Sequence, residues 1–182
     1  MPNYRRVHVK GGCYFFTVAT YRRQQILCNE KVRIALRDGV EEVGATHPFT
    51  INAWVLLPDH LHCIWTLPEG DTDFGKRWGM IKRYVTKRCS PDLDQDKWMT
   101  DSKQKRSEST LWQRRFWEHL IRNDQDYEIH MNYIHYNPVK HGLVTKVMDW
   151  EYSTFHRYVR DGVYNENWGA NLDIPSDISF GE

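Results

Sequence analysis

The sequence predicts an α+β fold: one antiparallel sheet with two helices on one face, a third helix on the other, and short helices after it. Three observations carry this. The apolar period switches between two and about three and a half in the order strand, helix, strand, strand, helix, strand. Two of those strands are joined by Pro58-Asp59 alone, a link short enough to make them hairpin neighbours. The second of the pair, His60-Leu61-His62-Cys63-Ile64-Trp65, alternates faces as strands do, so His60 and His62 share one side while Leu61, Cys63 and Trp65 line the other.

Each element follows from its residues. Met1 to Lys10 is a basic arm with Arg5, Arg6 and Lys10, and Gly11-Gly12 breaks it from a β-branched, aromatic strand, Cys13 to Thr20. Asn29 caps a helix running to about Val43, with Val32, Leu36, Val40 and Val43 on one face and Gly44 and Pro48 closing it. Phe49 to Leu57 alternates, with Phe49, Ile51, Ala53, Val55 and Leu57 on one side and Thr50 and Asn52 on the other. After the histidine strand, Asp73 caps a helix to about Cys89 with the stripe Phe74, Trp78, Ile81 and Val85. Ser90 to Thr110 is polar and aperiodic and reads as a mobile loop. Arg115 to Ile121 supplies the last strand. Asn123 or Asp124 caps a third helix, Gln125 to about Asn137, which Pro138 ends because the residue before proline avoids the helical region. A short turn, Pro138 to His141, and a short helix to Arg160 follow. Strand order and helix placement together make this the ferredoxin-like, split βαβ plan. Residues 1–160 form a single domain, with 90–110 as its loop, and 161–182 form a tail.

Composition narrows the function. The chain of 182 residues is long enough for one core, and 25 Lys+Arg against 24 Asp+Glu leave no bulk charge to draw nucleic acid. A basic surface must then be a patch. The densest is the second helix, where Lys76, Arg77, Lys82, Arg83, Lys87 and Arg88 fall within thirteen residues; Lys82 and Arg83 with Arg5 and Arg6 are the candidate DNA contacts, from charge density alone. Four cysteines without a Cys-x-x-Cys pair argue against a zinc ribbon or redox motif. Lacking a leader or a long apolar run, the chain reads as soluble, cytoplasmic and free of membrane contact, with reduced thiols.

Two imidazoles two residues apart on one strand face can grip one metal ion. On the third helix Tyr133 and Asn137 are four apart and share a stripe, with His130 three before Tyr133. A tyrosine nucleophile and an amide oxygen facing two histidines form a plausible active site for phosphate chemistry. Each residue also has a plain structural use: Tyr133 as a packing ring, Asn137 as a cap, His130 as a surface residue. Tyr136 is a rival nucleophile but is turned off the stripe, by about 60° from Tyr133 and about 100° from Asn137 by helix geometry.

The His60-Leu61-His62 triplet on a strand matches the motif of the HUH endonuclease superfamily, and Tyr133-Ile134-His135-Tyr136-Asn137-Pro138-Val139-Lys140-His141-Gly142 resembles the tyrosine helix of the REP-associated tyrosine transposases, relatives of the single-tyrosine insertion-sequence enzymes. Asn52 to His60, Phe116-Trp117-Glu118-His119 and Tyr152 to His156 are similar to that family too, so the likeness spans about Tyr4 to Tyr158. It implies a DNA nuclease and strand transferase that cuts and rejoins single-stranded hairpins of repetitive extragenic palindromes through a 5′-phosphotyrosine. Tyr133 is then the nucleophile, and His60, His62 and Asn137 are the ligands of a divalent metal, Mg²⁺ or Mn²⁺. The resemblance also implies a bacterial protein and favours a monomer over a dimer.

Two other readings compete. A hydrolase in which water attacks needs further motifs that are missing here: Ile64 and Trp65 stand where a zinc hydrolase carries Asp and His. A ferredoxin-like nucleic-acid-binding protein without catalysis leaves the two histidines without a task. The carboxyl-terminal segment from Asn171, with Asp173, Asp177, Glu182 and no Lys or Arg, is a candidate cover for a basic groove.

Overall fold

The computed structural model describes residues 7–169 and 180–181. Four strands, β1 (Cys13–Ala19), β2 (Thr50–Leu56), β3 (His60–Thr66) and β4 (Trp117–Leu120), form one sheet in the order β2-β3-β1-β4, with every neighbouring pair antiparallel. This is the ferredoxin-like arrangement the sequence predicts. The two central strands, β1 and β3, are also the most buried, as strands covered on both faces must be.

Helices α1 (Glu30–Thr46) and α2 (Phe74–Leu93) cover one face. Asn29 and Asp73 cap them as predicted, accepting from the N–H groups of Lys31 and Lys76. Between helices and sheet lie Leu61, Cys63 and Trp65 with Phe16, Val32, Leu36, Phe74, Trp78 and Ile81. Trp65 stacks on Trp78 at 4.2 Å and 14°, and Phe16 meets the edge of each. Helix α4 (Asp124–Lys140) lies on the other face, where Phe15, Val55, Ile64, Met131, Tyr133 and Ile134 form a second cluster. Helix α5 (Phe155–Arg160) follows, and residues 152–154 pair with β2, through Tyr152 O and Thr154 N.

The structure departs from the sequence expectation in five places. The alternation of β2 is not continuous: a bulge between Ile51 and Ala53 lets Phe49 and Ile51 pack toward the helices while Ala53, Val55 and Leu57 enter the opposite cluster. The extra residue, Asn52, is used. Its carbonyl accepts from Arg157 (2.5 Å) and Tyr158 (2.6 Å), and its amide oxygen accepts from Thr66 (2.8 Å). Gly44 does not end α1, which runs to Thr46 and stops where His47 leaves the helical region before Pro48.

Pro138 does not end α4, because its ring already holds a helical φ and it sacrifices only one N–H bond. The helix runs one turn further and closes at Gly142, whose φ is +67°. The stretch 90–110 is not a bare loop. Helix α2 passes through Pro91, a 3₁₀ turn spans Asp96–Trp98, and α3 (Asp101–Lys105) is capped by Thr100. Asp94 ties it down by accepting from both the N–H and the hydroxyl of Thr110.

The basic helix is only partly a free surface. Arg77 is buried and donates to the carbonyls of His47, Pro48 and Asp73 and to Asp71 Oδ2 at 2.6 Å. It is therefore a bracket between α2 and the turn after α1. Among the described residues no helix is long and apolar enough to cross a membrane.

Candidate active site

The strand and helix geometry brings His60, His62 and Tyr133 together. His60 and His62 are 2% and 0% exposed, and their rings are 4.8 Å apart at 84°. The Tyr133 ring meets His62 edge-on at 5.2 Å, and the His141 ring meets His60 at 5.2 Å. Asn137, fully buried, sits one turn from Tyr133 and one turn from His141 on the same helix, which puts it between the two contacts.

Hydrogen bonds on the outer nitrogens orient both imidazoles. His60 Nδ1 is 2.7 Å from Asp59 Oδ1, so that nitrogen carries the proton and Nε2 keeps its lone pair. Burial alone raises the Asp59 carboxyl, but the His60 hydrogen bond and the nearby Arg23 charge hold it below the usual carboxylate range. Arg23 reaches Asp59 at 3.5 Å from a left-handed backbone position, φ +54°. His62 Nδ1 lies 2.8 Å from Thr17 Oγ1. The Thr17 hydroxyl has one proton and gives it to the Phe180 carbonyl at 2.5 Å. His62 Nδ1 must then donate, and its Nε2 is likewise a lone pair. Two lone pairs, each fixed by an outer partner, are what a pair of metal-binding histidines requires.

The Tyr133 hydroxyl accepts from Lys140 Nζ at 2.9 Å, and that ammonium also stands 4.7 Å over the ring. Phe180 stacks on the Tyr133 ring at 3.4 Å and 5°. The carboxyl-terminal end thus reaches the site through an aromatic ring. The acidic residues proposed as a cover, Asp173, Asp177 and Glu182, lie outside the described residues, as do Arg5 and Arg6.

The other predicted residues are not part of this cluster. Lys82 donates to the Gln113 carbonyl at 2.9 Å and stands over the Trp112 and Phe116 rings, and it and Arg83 are on α2, across the sheet from Tyr133. Arg83 lines a cavity of about 540 Å³ with Lys87, Arg88, Glu42 and Tyr84. His130 is not the surface residue of its plain structural reading but is buried. Its Nδ1 is held by the Asp126 carbonyl at 2.8 Å, and burial pushes it toward the neutral form despite that bond. With His119 and Asp126 it forms a compact group of possible metal ligands. Asp126, however, is already filled by His119 (2.9 Å), His130 (3.1 Å) and the Arg122 N–H (2.9 Å). That group clamps the start of α4 to β4, and the Phe15 ring separates it from His62.

Sequence reasoning missed Thr17, Asp59, Lys140 and His141. Lys140 is seven residues after Tyr133, two helical turns, and so returns to nearly the same face. Reading Pro138 as the end of the helix hid it. Asp59 was treated only as a turn residue.

A ferredoxin-like sheet with a two-histidine strand facing a helical tyrosine defines a class of DNA-processing enzymes, and comparison narrows it. Residues 8–137 match the family model described as "Transposase IS200 like". The chain is 45% identical to a "REP-associated tyrosine transposase" of Escherichia coli (strain K12), covering 100% of this chain and 98% of that one. A relative from Haemophilus influenzae is 42% identical over 96% of this chain and 97% of its own. A solved structure described as a REP-associated tyrosine transposase bound to a REP hairpin superimposes with a TM-score of 0.83 at 46% identity, covering 100% of this chain and 98% of that one. The chain belongs to the IS200-like transposases and, within them, to the REP-associated tyrosine transposases: it is an enzyme acting on DNA.

Proposed function

We propose that the protein cleaves and rejoins single-stranded DNA beside palindromic hairpins through a 5′-phosphotyrosine on Tyr133. The observation that carries this reading is the contact of the Tyr133 ring with His62, on a strand whose two histidine rings lie 4.8 Å apart. His60 and His62 with Asn137 would hold a divalent cation. Two imidazoles and an amide oxygen suit Mn²⁺ well and are a little soft for Mg²⁺. Such an ion, when bound, supplies Lewis-acid polarisation of the scissile phosphate.

The chain's own residues do the rest. Tyr133 Oη attacks phosphorus in line, the bond to the 3′ oxygen breaks, and that oxygen leaves with the electron pair and takes a proton. The phosphodiester energy is retained in the tyrosyl ester, so the freed 3′-OH can attack back without ATP. Asp59 and Thr17 keep the histidines aimed, and the apolar cluster around Phe15, Ile64 and Ile134 holds the helix at its distance from the strand. The contact of His62 with Tyr133 within one chain supports cleavage in cis by a monomer. The hairpin bound by the solved relative supports a REP-type hairpin as partner, and Arg83 with Lys87 and Arg88 is the proposed contact for stem phosphates.

The test is a labelled single-stranded palindromic hairpin with flanking sequence, incubated with wild type or Tyr133→Phe in Mn²⁺ or EDTA. A covalent adduct that needs both the cation and Tyr133 is expected. Cutting that survives in Tyr133→Phe would transfer the chemistry to water or to Tyr136. Binding without cutting in wild type would leave a non-catalytic nucleic-acid module.

A further inference from the structure

The geometry points to Lys140 as a catalytic residue that carries the charge on the tyrosine oxygen during cleavage and rejoining; this rests on the reading of Tyr133 as nucleophile. The ring of Tyr133 is 1% exposed and enclosed by His62, Phe15 and Phe180. Its oxygen is held at 2.9 Å by an ammonium on the same helix. The continuation of α4 through Pro138 makes this possible. Seven residues advance the helix by almost two whole turns, about 10.5 Å along the axis, and long helical side chains lean back toward the amino terminus. Lys140 Nζ therefore returns over the Tyr133 ring. A helix ended at Asn137 would carry the amine elsewhere.

Negative charge develops on Tyr133 Oη as it attacks, and again when it is the leaving group in rejoining. A fixed cation already hydrogen-bonded there needs no reorganisation in either direction. Lys140 keeps its proton throughout. In cleavage the Oη–P bond forms, the P–O3′ bond breaks, the tyrosine proton passes to solvent and the 3′ oxygen takes one from solvent; rejoining reverses each exchange. One ammonium thus serves both half-reactions, which suits a strand transferase better than a base that must first lose a proton and then regain it.

Single-turnover cleavage and rejoining of the labelled hairpin would be measured for wild type, K140R, K140M and K140A, the last with and without propylammonium. Hairpin affinity would be measured in EDTA. We expect K140M to slow both directions by a similar factor, roughly 100-fold, the usual loss for one preorganised donor. K140R should keep most of the rate, propylammonium should speed K140A, and affinity should stay within about threefold of wild type by that same transition-state argument. A K140M rate within threefold of wild type overturns the proposal. A loss explained wholly by weaker hairpin binding also overturns it, since Lys140 would then be a phosphate clamp. So does a loss that K140R shares and propylammonium does not relieve. If wild type forms no adduct, or Tyr133→Phe cuts equally well, the reading of Tyr133 itself fails, and the two failures are told apart.

Discussion

The two faces of β3 are equally buried and built on opposite principles. On one, Leu61, Cys63 and Trp65 meet the helices through contacts between apolar groups, dense and non-directional. On the other, His60 and His62 are held atom by atom, through Asp59 and Thr17, and face a tyrosine whose oxygen has its own donor. Dispersion contacts resist loss of volume, whereas the hydrogen-bonded face resists loss of direction. The four residues from His60 to Cys63 therefore alternate between directed polar groups and apolar packing.

The sharpest way to break that comparison is to change one residue on each face. His62→Asn is expected to lower hairpin cleavage by about 100-fold or more while the thermal midpoint moves little, because a metal-directing group is lost and little volume changes. Trp78→Ala, beneath Trp65, should cost roughly 3–5 kcal/mol in urea unfolding, as large buried aromatics do, and leave cleavage per folded molecule unchanged. Cleavage that falls with Trp78→Ala, or stability that collapses with His62→Asn, would mean the faces are not separable.

A smaller effect concerns the bracket at Arg77. Its hydrogen bond to Asp71 is the main cause of the lowered Asp71 carboxyl. A carboxyl lower in the folded than in the unfolded chain stabilises above its ordinary value near 4 and loses that contribution as pH falls through the lowered value. Asp71→Asn should therefore be less stable than wild type at pH 7, with the gap closing as pH drops below about 4. Urea midpoints against pH would show it, and a gap that widens in acid would contradict the assignment.

The smallest expected change is a gain. Phe180 must leave the Tyr133 ring before anything else stacks there, and one aromatic pair is worth about 0.5–1.5 kcal/mol. Phe180→Ala should raise single-turnover cleavage by roughly two- to tenfold on that estimate. A slower rate would show the ring to be support rather than obstruction.

The sheet, its order and the facing of the histidines were legible because each rests on local periodicity, and Asn29 and Asp73 declared their helices through capping. What escaped depends on features that sequence pattern does not carry. The bulge at Asn52 is decided by partners on α5 about a hundred residues away, and Pro138 continues the helix because the packing of α4 outweighs one lost hydrogen bond. Lys82 and Arg77 looked like surface charge because their carbonyl partners are distant in sequence. Thr17, an ordinary strand residue by pattern, acquires its role only when β1 and β3 pair, and Asp59, though next to His60, reads as a turn residue. Tyr133 and the two histidines have plain structural uses at that spacing too, and it is the resemblance of their motifs to a known family that singles them out.

The bulge in β2 has a last consequence, which concerns length rather than contacts. Ile51 and Ala53 are two residues apart yet face opposite ways, so β2 holds one residue more than its partner strand needs. Removing Asn52 would leave every neighbouring side chain on its present face. The inside-outside pattern would survive the deletion, and what would be cut is the tether from Arg157 and Tyr158 together with the Thr66 hydrogen bond. The surplus residue thus works as a mooring: it lets the carboxyl-terminal helix be fastened to the sheet, or released from it, without altering the frame in which the sheet itself is read.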